Sequence, residues 1–311
     1  MEIIELQVEK DLNEMGLRGY IEGYYGRLLT WEERFSLLDK LNELGMNFYL
    51  YGPKEDKYNR AKWFEPYPVK EIENFKNFFN KSKKHNIKSY ISISPGQSYV
   101  EDNESEFKNL TNKIDKFLEA GFSNFAILLD DLEVQRSQKL GEFHGMLLNK
   151  VFDYLSSTNN ASFIFCPTVY CNRFADGKLE DSAYLKGLSG EVSPELSLLW
   201  TGRDVINKTI TDKDIEELKQ VINNPIVIWD NYYANDYCQN RFFIGQYKGR
   251  SVRDRNIRGF GVNPTGLVIT DSIILEQVNG VSSTEEILKK YGVPKEFFEL
   301  FPFFEGPFDT K

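Results

Sequence analysis

The stretch Phe125-Ala-Ile-Leu-Leu-Asp-Asp131 decides the reading of this chain. Its apolar run has the length and composition of a strand buried on both faces, and the two carboxylates follow where that strand should emerge. In isolation Asp130 and Asp131 read as a helix N-cap beside a solvated acid, because paired acids are common in structural roles. The competing reading is chemical. Like charges this close drive their pKa values apart, so one carboxylate stays ionised while the other can hold a proton.

Working outward, seven further β-rich segments resemble this one. They are Gly19-Tyr-Ile-Glu-Gly23, Met46-Asn-Phe-Tyr-Leu-Tyr51, Ser89-Tyr-Ile-Ser-Ile-Ser94 and Ser162-Phe-Ile-Phe-Cys166, then Leu196-Ser-Leu-Leu-Trp200, Ile226-Val-Ile-Trp229 and Gly259-Phe-Gly-Val262. Helical patterns separate most of them. Thr30-Trp-Glu-Glu33 is a capping-box pattern ahead of Phe35, Leu37, Leu38, Leu41 and Leu44 on one face. Thr211-Asp-Lys-Asp214 opens a helix more weakly, with Asp where the box prefers Glu. Strand-helix alternation of this kind predicts a (β/α)8 TIM barrel. A doubly wound sheet is the alternative, but no Gly-x-Gly-x-x-Gly turn follows the first strand, and Gly23-Tyr-Tyr-Gly26 is too short for one. The expected organisation is a catalytic barrel over residues 1–280 and a short helical and aromatic tail over 281–311. Ser283-Thr-Glu-Glu286 caps the tail's helix, and Phe297 to Phe308 is the aromatic part, expected to pack on the barrel or on a partner chain in a homodimer.

Composition narrows the function. The 311 residues are 41% hydrophobic and 27% charged, enough for a sizeable core. A net charge of −9 and a pI near 5.1 argue against nucleic acid or an anionic membrane surface as partner. No window approaches the roughly 20 apolar residues of a membrane span. Met1-Glu-Ile-Ile-Glu-Leu6 lacks the pattern of a secretory signal, so a cytoplasmic location is expected, although a secreted mature form reads the same. Cys166, Cys171 and Cys238 make no disulfide framework. His85 and His144 have no metal-ligand companions and lie in polar, helix-like stretches, so both are expected at the surface, with no metal and no cofactor.

In such barrels the chemistry lies just past the C-terminal strand ends. Here that rim is crowded: Gly23-Tyr-Tyr-Gly-Arg27, Gly52-Pro-Lys54, Asp130-Asp131, Pro167-Thr-Val-Tyr-Cys171, Trp200-Thr-Gly202, Trp229-Asp-Asn231 with Asp236, and Asn263-Pro264. Each alone has a structural explanation; Lys54, for example, reads as a solvated charge. Together, flat aromatic faces with Asn, Asp and Lys suit a sugar ring, with its apolar C–H face and hydroxyl edge. Two carboxylates of divided protonation suit glycosidic chemistry.

The ordered motifs Ile21-Glu-Gly-Tyr-Tyr-Gly-Arg27, Trp31-Glu-Glu-Arg34, Gly45-Met-Asn-Phe-Tyr-Leu-Tyr-Gly-Pro-Lys54, Ile93-Ser-Pro-Gly96 and Leu129-Asp-Asp131 resemble glycoside hydrolase family 84, the β-N-acetylglucosaminidases that include protein O-GlcNAcases. The resemblance continues through Phe165-Cys-Pro-Thr-Val-Tyr-Cys171, Leu199-Trp-Thr-Gly202, Trp229-Asp-Asn-Tyr-Tyr-Ala-Asn-Asp-Tyr237, Gly245-Gln-Tyr-Lys-Gly-Arg250 and Val262-Asn-Pro264. It implies substrate-assisted, retaining hydrolysis, in which the sugar's acetamido oxygen attacks the anomeric carbon and forms an oxazoline. On that pattern Asp130 orients the acetamido N–H, and Asp131 is the general acid, then the base. Gly23 and Lys54 match positions lining the sugar hydroxyls, and Asn231 an acetamido-side contact. Tyr170 matches a hydroxyl that holds the acetamido group, and Trp229 the aromatic wall. Asp236 and Asn263 match the pair that holds the far hydroxyls, while Phe174 and Tyr237 look like mouth residues. Tyr24 stands where Phe is commoner, and Val169 replaces a residue that is often polar, with an altered outer edge of the pocket expected. The implied partner is a β-GlcNAc-bearing glycan or glycoprotein. Alternatives are an endo-acting, hyaluronidase-like hydrolase and a non-catalytic GlcNAc-binding barrel.

Overall fold

The computed structural model describes residues 16–308 except 97, 102, 159–161 and 256. The reading of the N-terminus as free of a signal, and the first 15 residues of the expected 1–280 unit, lie outside the described residues.

The barrel strands are β1 Leu17–Glu22, β2 Phe48–Tyr51, β3 Lys88–Ile93, β4 Asn124–Leu128, β5 Ser162–Cys166, β6 Ser197–Trp200, β8 Ile226–Asp230 and β10 Ile257–Val262. They close in the order β1-β10-β8-β6-β5-β4-β3-β2, and every pairing is parallel. The TIM-barrel expectation is met. The run that opened the reading is β4, with Phe125 opposite Ile91 on one side and Phe163 on the other. Strand alternation splits it between two cores. Ala126 and Leu128 join Ile21, Leu50, Ile164 and Val227 inside the barrel, whereas Phe125 and Ile127 pack outward with the helix residues.

The helices are α1 Trp31–Glu43, α2 Val69–Lys84, α3 Glu104–Glu119, α4 Gln138–Thr158, α5 Ala183–Glu191, α6 Asp212–Lys219, α7 Val268–Asn279 and α8 Thr284–Lys290. The Thr30/Glu33 capping box forms as expected. The weaker box at α6 also forms, since the shorter Asp214 still reaches the Thr211 N–H at 2.8 Å. One departure concerns the alternation itself. Among the described residues no helix lies between β8 and β10; an irregular segment leads to a two-residue strand, β9 Arg250–Ser251, which pairs with β7 Ile210–Thr211.

Buried charge pairs brace the rim from below. Arg34 of α1 grips Glu22 at the end of β1 at 2.6 Å, and Tyr49 donates to the same carboxylate at 2.7 Å. Asp230 at the end of β8 accepts from Arg250 at 2.6 Å and from Tyr247 at 2.5 Å. Such a pair fixes geometry more surely than it adds stability, because desolvation offsets most of its attraction. Behind the short tail, the Ile244 N–H donates to Phe304 O at 2.9 Å and the Phe242 and Phe304 rings stack at 5.0 Å.

His144 corrects the surface expectation. It is only 2% exposed, packed in α4 against Tyr184 of α5, whose hydroxyl lies 2.9 Å from Nδ1. Polarity along α4 concealed it, because the tightly packed partner is another helix. His85 is half-buried beside Asp39 at 2.9 Å.

Candidate active site

The C-terminal rim opens into a cavity of about 620 Å³, and all nine candidates line it: Gly23, Lys54, Asp130, Asp131, Tyr170, Trp229, Asn231, Asp236 and Asn263. Strand topology does this work. The β1, β2, β4, β5, β8 and β10 ends converge on one mouth although their residues span most of the chain.

Asp130 and Asp131 follow β4 after Leu129, and α4 begins only at Gln138, so neither caps a helix. Asp131 has φ of +54°, a left-handed conformation rare for a residue with a Cβ, and here it turns the second carboxylate back toward the cavity. Lys54 is not a solvated charge. Its buried ammonium donates to Asp130 Oδ2 and lies 3.8 Å from Asp131 Oδ2. Burial alone pulls the Lys54 pKa down, but the two carboxylates outweigh it and hold the amine above its ordinary value.

Asp131 is held from both sides. Tyr170 donates to its Oδ1 at 2.7 Å and Tyr25 to its Oδ2 at 2.8 Å. Burial pushes the Asp131 pKa up, yet Lys54, the two hydroxyls and Arg60 outweigh it and leave the group below the usual carboxylate range. At neutral pH Asp131 is therefore ionised in the free pocket, and the nearby cation offsets the repulsion between the two acids. Burial, with Asp131 adding to it, pushes Tyr25 up to about 12, so it remains a neutral donor. Tyr170 shifts the same way for the same reasons.

The opposite wall is an interlocked amide network. Asn263 Oδ1 accepts the Gly23 N–H at 3.0 Å, and Asn263 Nδ2 donates to Asn231 Oδ1 at 2.9 Å. The same Asn231 oxygen accepts from the Trp229 indole at 2.9 Å, and its amide donates to Val205 O at 2.8 Å. Gly23 serves Trp229 as much as any ligand, since a Cβ there would stand 2.2 Å from the indole. Asp236 Oδ2 accepts the Tyr25 N–H at 3.1 Å.

One reading is corrected. Val169 is fully buried in the outer core and does not line the cavity. The Tyr24 hydroxyl turns to Tyr20 at 3.0 Å, inside the fold. The free thiols of Cys166 and Cys171 are buried, and burial raises both pKa values, Cys171 to about 11. Among the described residues no cluster of metal-binding side chains occurs.

A family model described as beta-N-acetylglucosaminidase matches residues 18–280, most of the chain. The chain belongs to the β-N-acetylglucosaminidase family, glycoside hydrolase family 84. It is 35% identical over 256 residues to the protein O-GlcNAcases of Rattus norvegicus and Mus musculus, which covers 80% of this chain and 28% of each relative. It therefore spans little more than a quarter of the curated relatives' length. Its fold is similar to that of CpGH84B, with a TM-score of 0.80, 27% identity, and 92% of this chain and 53% of that chain covered. An O-GlcNAc hydrolase mutant of Thermobaculum terrenum gives a TM-score of 0.79 at 27% identity, covering 90% of this chain and 64% of that one.

Within this β-N-acetylglucosaminidase-family barrel, the sequence reading missed several cavity residues, among them Tyr25, Arg173, Asp204 and Val205. Tyr25 stood in a motif already quoted, and its place at a strand end was the available signal. Nothing in the sequence marked Arg60, which donates to the Tyr25 hydroxyl at 2.9 Å across 35 positions.

Proposed function

We propose that this chain is a retaining exo-β-N-acetylglucosaminidase that hydrolyses terminal β-linked GlcNAc, with an O-GlcNAc-bearing glycoprotein or glycan as substrate. The observation that carries the reading is the Asp130/Asp131 pair, held in one cavity by the shared Lys54 ammonium in a chain of this family.

The geometry supports a role for each of these residues. Asp130, already accepting an N–H donor from Lys54, takes the acetamido N–H and orients the amide so that its oxygen attacks the anomeric carbon. The two-carboxylate spacing rule does not govern this substrate-assisted class. Asp131 delivers a proton to the leaving oxygen as the C–O bond breaks, then removes one from the water that opens the oxazoline. Because the free pocket keeps Asp131 ionised, sugar binding must be accompanied by proton uptake. The entering leaving-group oxygen displaces the Tyr25 hydroxyl from Oδ2, and the covered carboxylate loses water, both of which raise its pKa. Tyr170 stays on Oδ1 and steers the remaining oxygen.

Trp229 and the Asn231–Asn263 network form a buried wall, and Asp236, whose Oδ1 has no partner among the described residues, is a carboxylate for sugar hydroxyls. A buried wall that stops the chain beyond one sugar supports a terminal sugar over an internal one. Product analysis separates the readings. GlcNAc monosaccharide from aryl and peptide glycosides supports the exo reading. Oligosaccharides from hyaluronan contradict it in favour of an endo enzyme, and GlcNAc binding without turnover favours a binding barrel.

A further inference from the structure

We infer that the leaving-group side of the pocket selects an aglycone that carries a carboxylate close to the cleaved linkage, with Arg173 as the residue that reads it. The inference rests on the hydrolase reading above and concerns which aglycone that site prefers.

A line of contacts leads outward from the acid. Asp131 is bonded to Tyr170, the Tyr170 ring meets Phe174 edge-on at 5.0 Å, and the Arg136 guanidinium lies over Phe174 at 4.7 Å. Arg173 precedes Phe174 and lines the cavity itself. The backbone of this turn is strapped down. Asn172 N–H donates to Gly202 O at 3.1 Å and Arg173 N–H to Arg203 O at 3.0 Å, so the guanidinium projects from a fixed base.

The rim cations differ in how fully their donors are used. Lys54 is committed to Asp130, Arg60 to Tyr25 and to the Asp131 carbonyl, and Arg27 to Glu33 and Gly266 O. Arg173 has one contact among the described residues, Nη1 to Asp204 Oδ1 at 3.3 Å. Asp204 Oδ1 also accepts the Val205 N–H at 2.7 Å and does not depend on the arginine. The Arg173–Asp204 pair is solvent-exposed on both sides, so it exchanges for another carboxylate at little cost. A guanidinium offers five donors in a fork that fits a carboxylate. Arg136 adds a second cation beyond Phe174; its Nε is buried without a hydrogen-bond partner among the described residues, and Asp176 lies 3.7 Å away. Each of the two arginines flanking Phe174 thus faces a single acid, at 3.3 Å for Arg173 and 3.7 Å for Arg136.

A carboxylate so placed belongs either to an acidic residue beside a glycosylated Ser or Thr, or to an acidic sugar linked through GlcNAc. The test uses two matched substrate pairs: GlcNAc-Ser peptides with Glu or Gln next to the Ser, and GlcNAc β-linked to a sugar acid or to its methyl ester. Wild type and Arg173→Gln are compared by the ratio of kcat/KM within each pair, so a general loss of turnover cancels. The expected result is about a tenfold preference for the carboxylate member of one pair, weakened by added salt and lost in Arg173→Gln. The pair that shows it identifies the source. Equal rates within both pairs, or a preference that survives Arg173→Gln, would overturn the inference. Hydrolysis of neutral 4-nitrophenyl β-GlcNAc by wild type separates that outcome from failure of the hydrolase reading, in which no substrate turns over.

Discussion

Lys54 donates to Asp130 Oδ2 and stands 3.8 Å from Asp131 Oδ2, so one buried ammonium serves both carboxylates of the pair. Two adjacent acids alone would compete for a single ionised state. With the cation between them, Asp131 falls below the usual carboxylate range despite burial, helped by Tyr170, Tyr25 and Arg60. The pocket is thus set for a proton that arrives with substrate.

That relation has a sign that kinetics can read. A general acid with a depressed pKa loses its proton early as pH rises, and kcat/KM reports the free enzyme. Once sugar covers Asp131, its pKa rises. On a substrate with a poor leaving group, the alkaline limb of kcat is expected at higher pH than that of kcat/KM. Limbs that coincide, or that fall in the opposite order, contradict the proton-uptake account.

Gly23→Ala should damage catalysis more than folding. The new Cβ would sit 2.2 Å from Trp229 Cζ2, so the aromatic wall must shift and drag the Asn231 amide bonded to its indole. Overpacking of this kind costs about 1–3 kcal/mol in stability. A displaced wall should cost about 100-fold in kcat/KM. Steady-state kinetics beside a thermal melt gives both, and activity within twofold of wild type would show that the wall does not need Gly23.

His144 predicts acid sensitivity unrelated to the active site. Burial lowers its pKa from 6.5 to about 4, so the folded protein keeps it neutral while the unfolded chain protonates it. The stability it contributes is present above pH 6.5 and is lost as pH falls toward about 4, by about 3 kcal/mol in all. Denaturant unfolding across this range should show a shallower loss for His144→Gln than for wild type. Identical slopes would remove His144 as the cause.

The barrel was legible because its strands are apolar runs buried on both faces, and Phe125 to Leu129 is the clearest of them. That the nine candidates would share one cavity was legible because strand ends gather at one rim whatever their spacing in sequence. Three things were not. The direction of the Asp131 shift depends on where the Lys54 ammonium lies, a rotamer that spacing does not reveal. The burial of His144 depends on α5 packing against α4, a helix pair that local polarity disguises. The helix missing between β8 and β10 is replaced by a segment held through Asp230, Arg250 and Tyr247, whose contacts cross up to 20 positions without periodicity. Asp230 itself reads as a rim acid in sequence but turns into that brace.

The most direct test of the central claim is hydrolysis of an activated aryl β-GlcNAc and of a GlcNAc-Ser peptide by wild type, Asp130→Asn and Asp131→Asn proteins. Asp130→Asn should lose turnover on both substrates, because the acetamido group is no longer oriented by a carboxylate. Asp131→Asn should lose about 100- to 10,000-fold on the peptide yet retain most turnover of the aryl glycoside, whose leaving group needs no proton. Equal loss on both substrates by a folded Asp131→Asn protein would contradict its assignment as the acid.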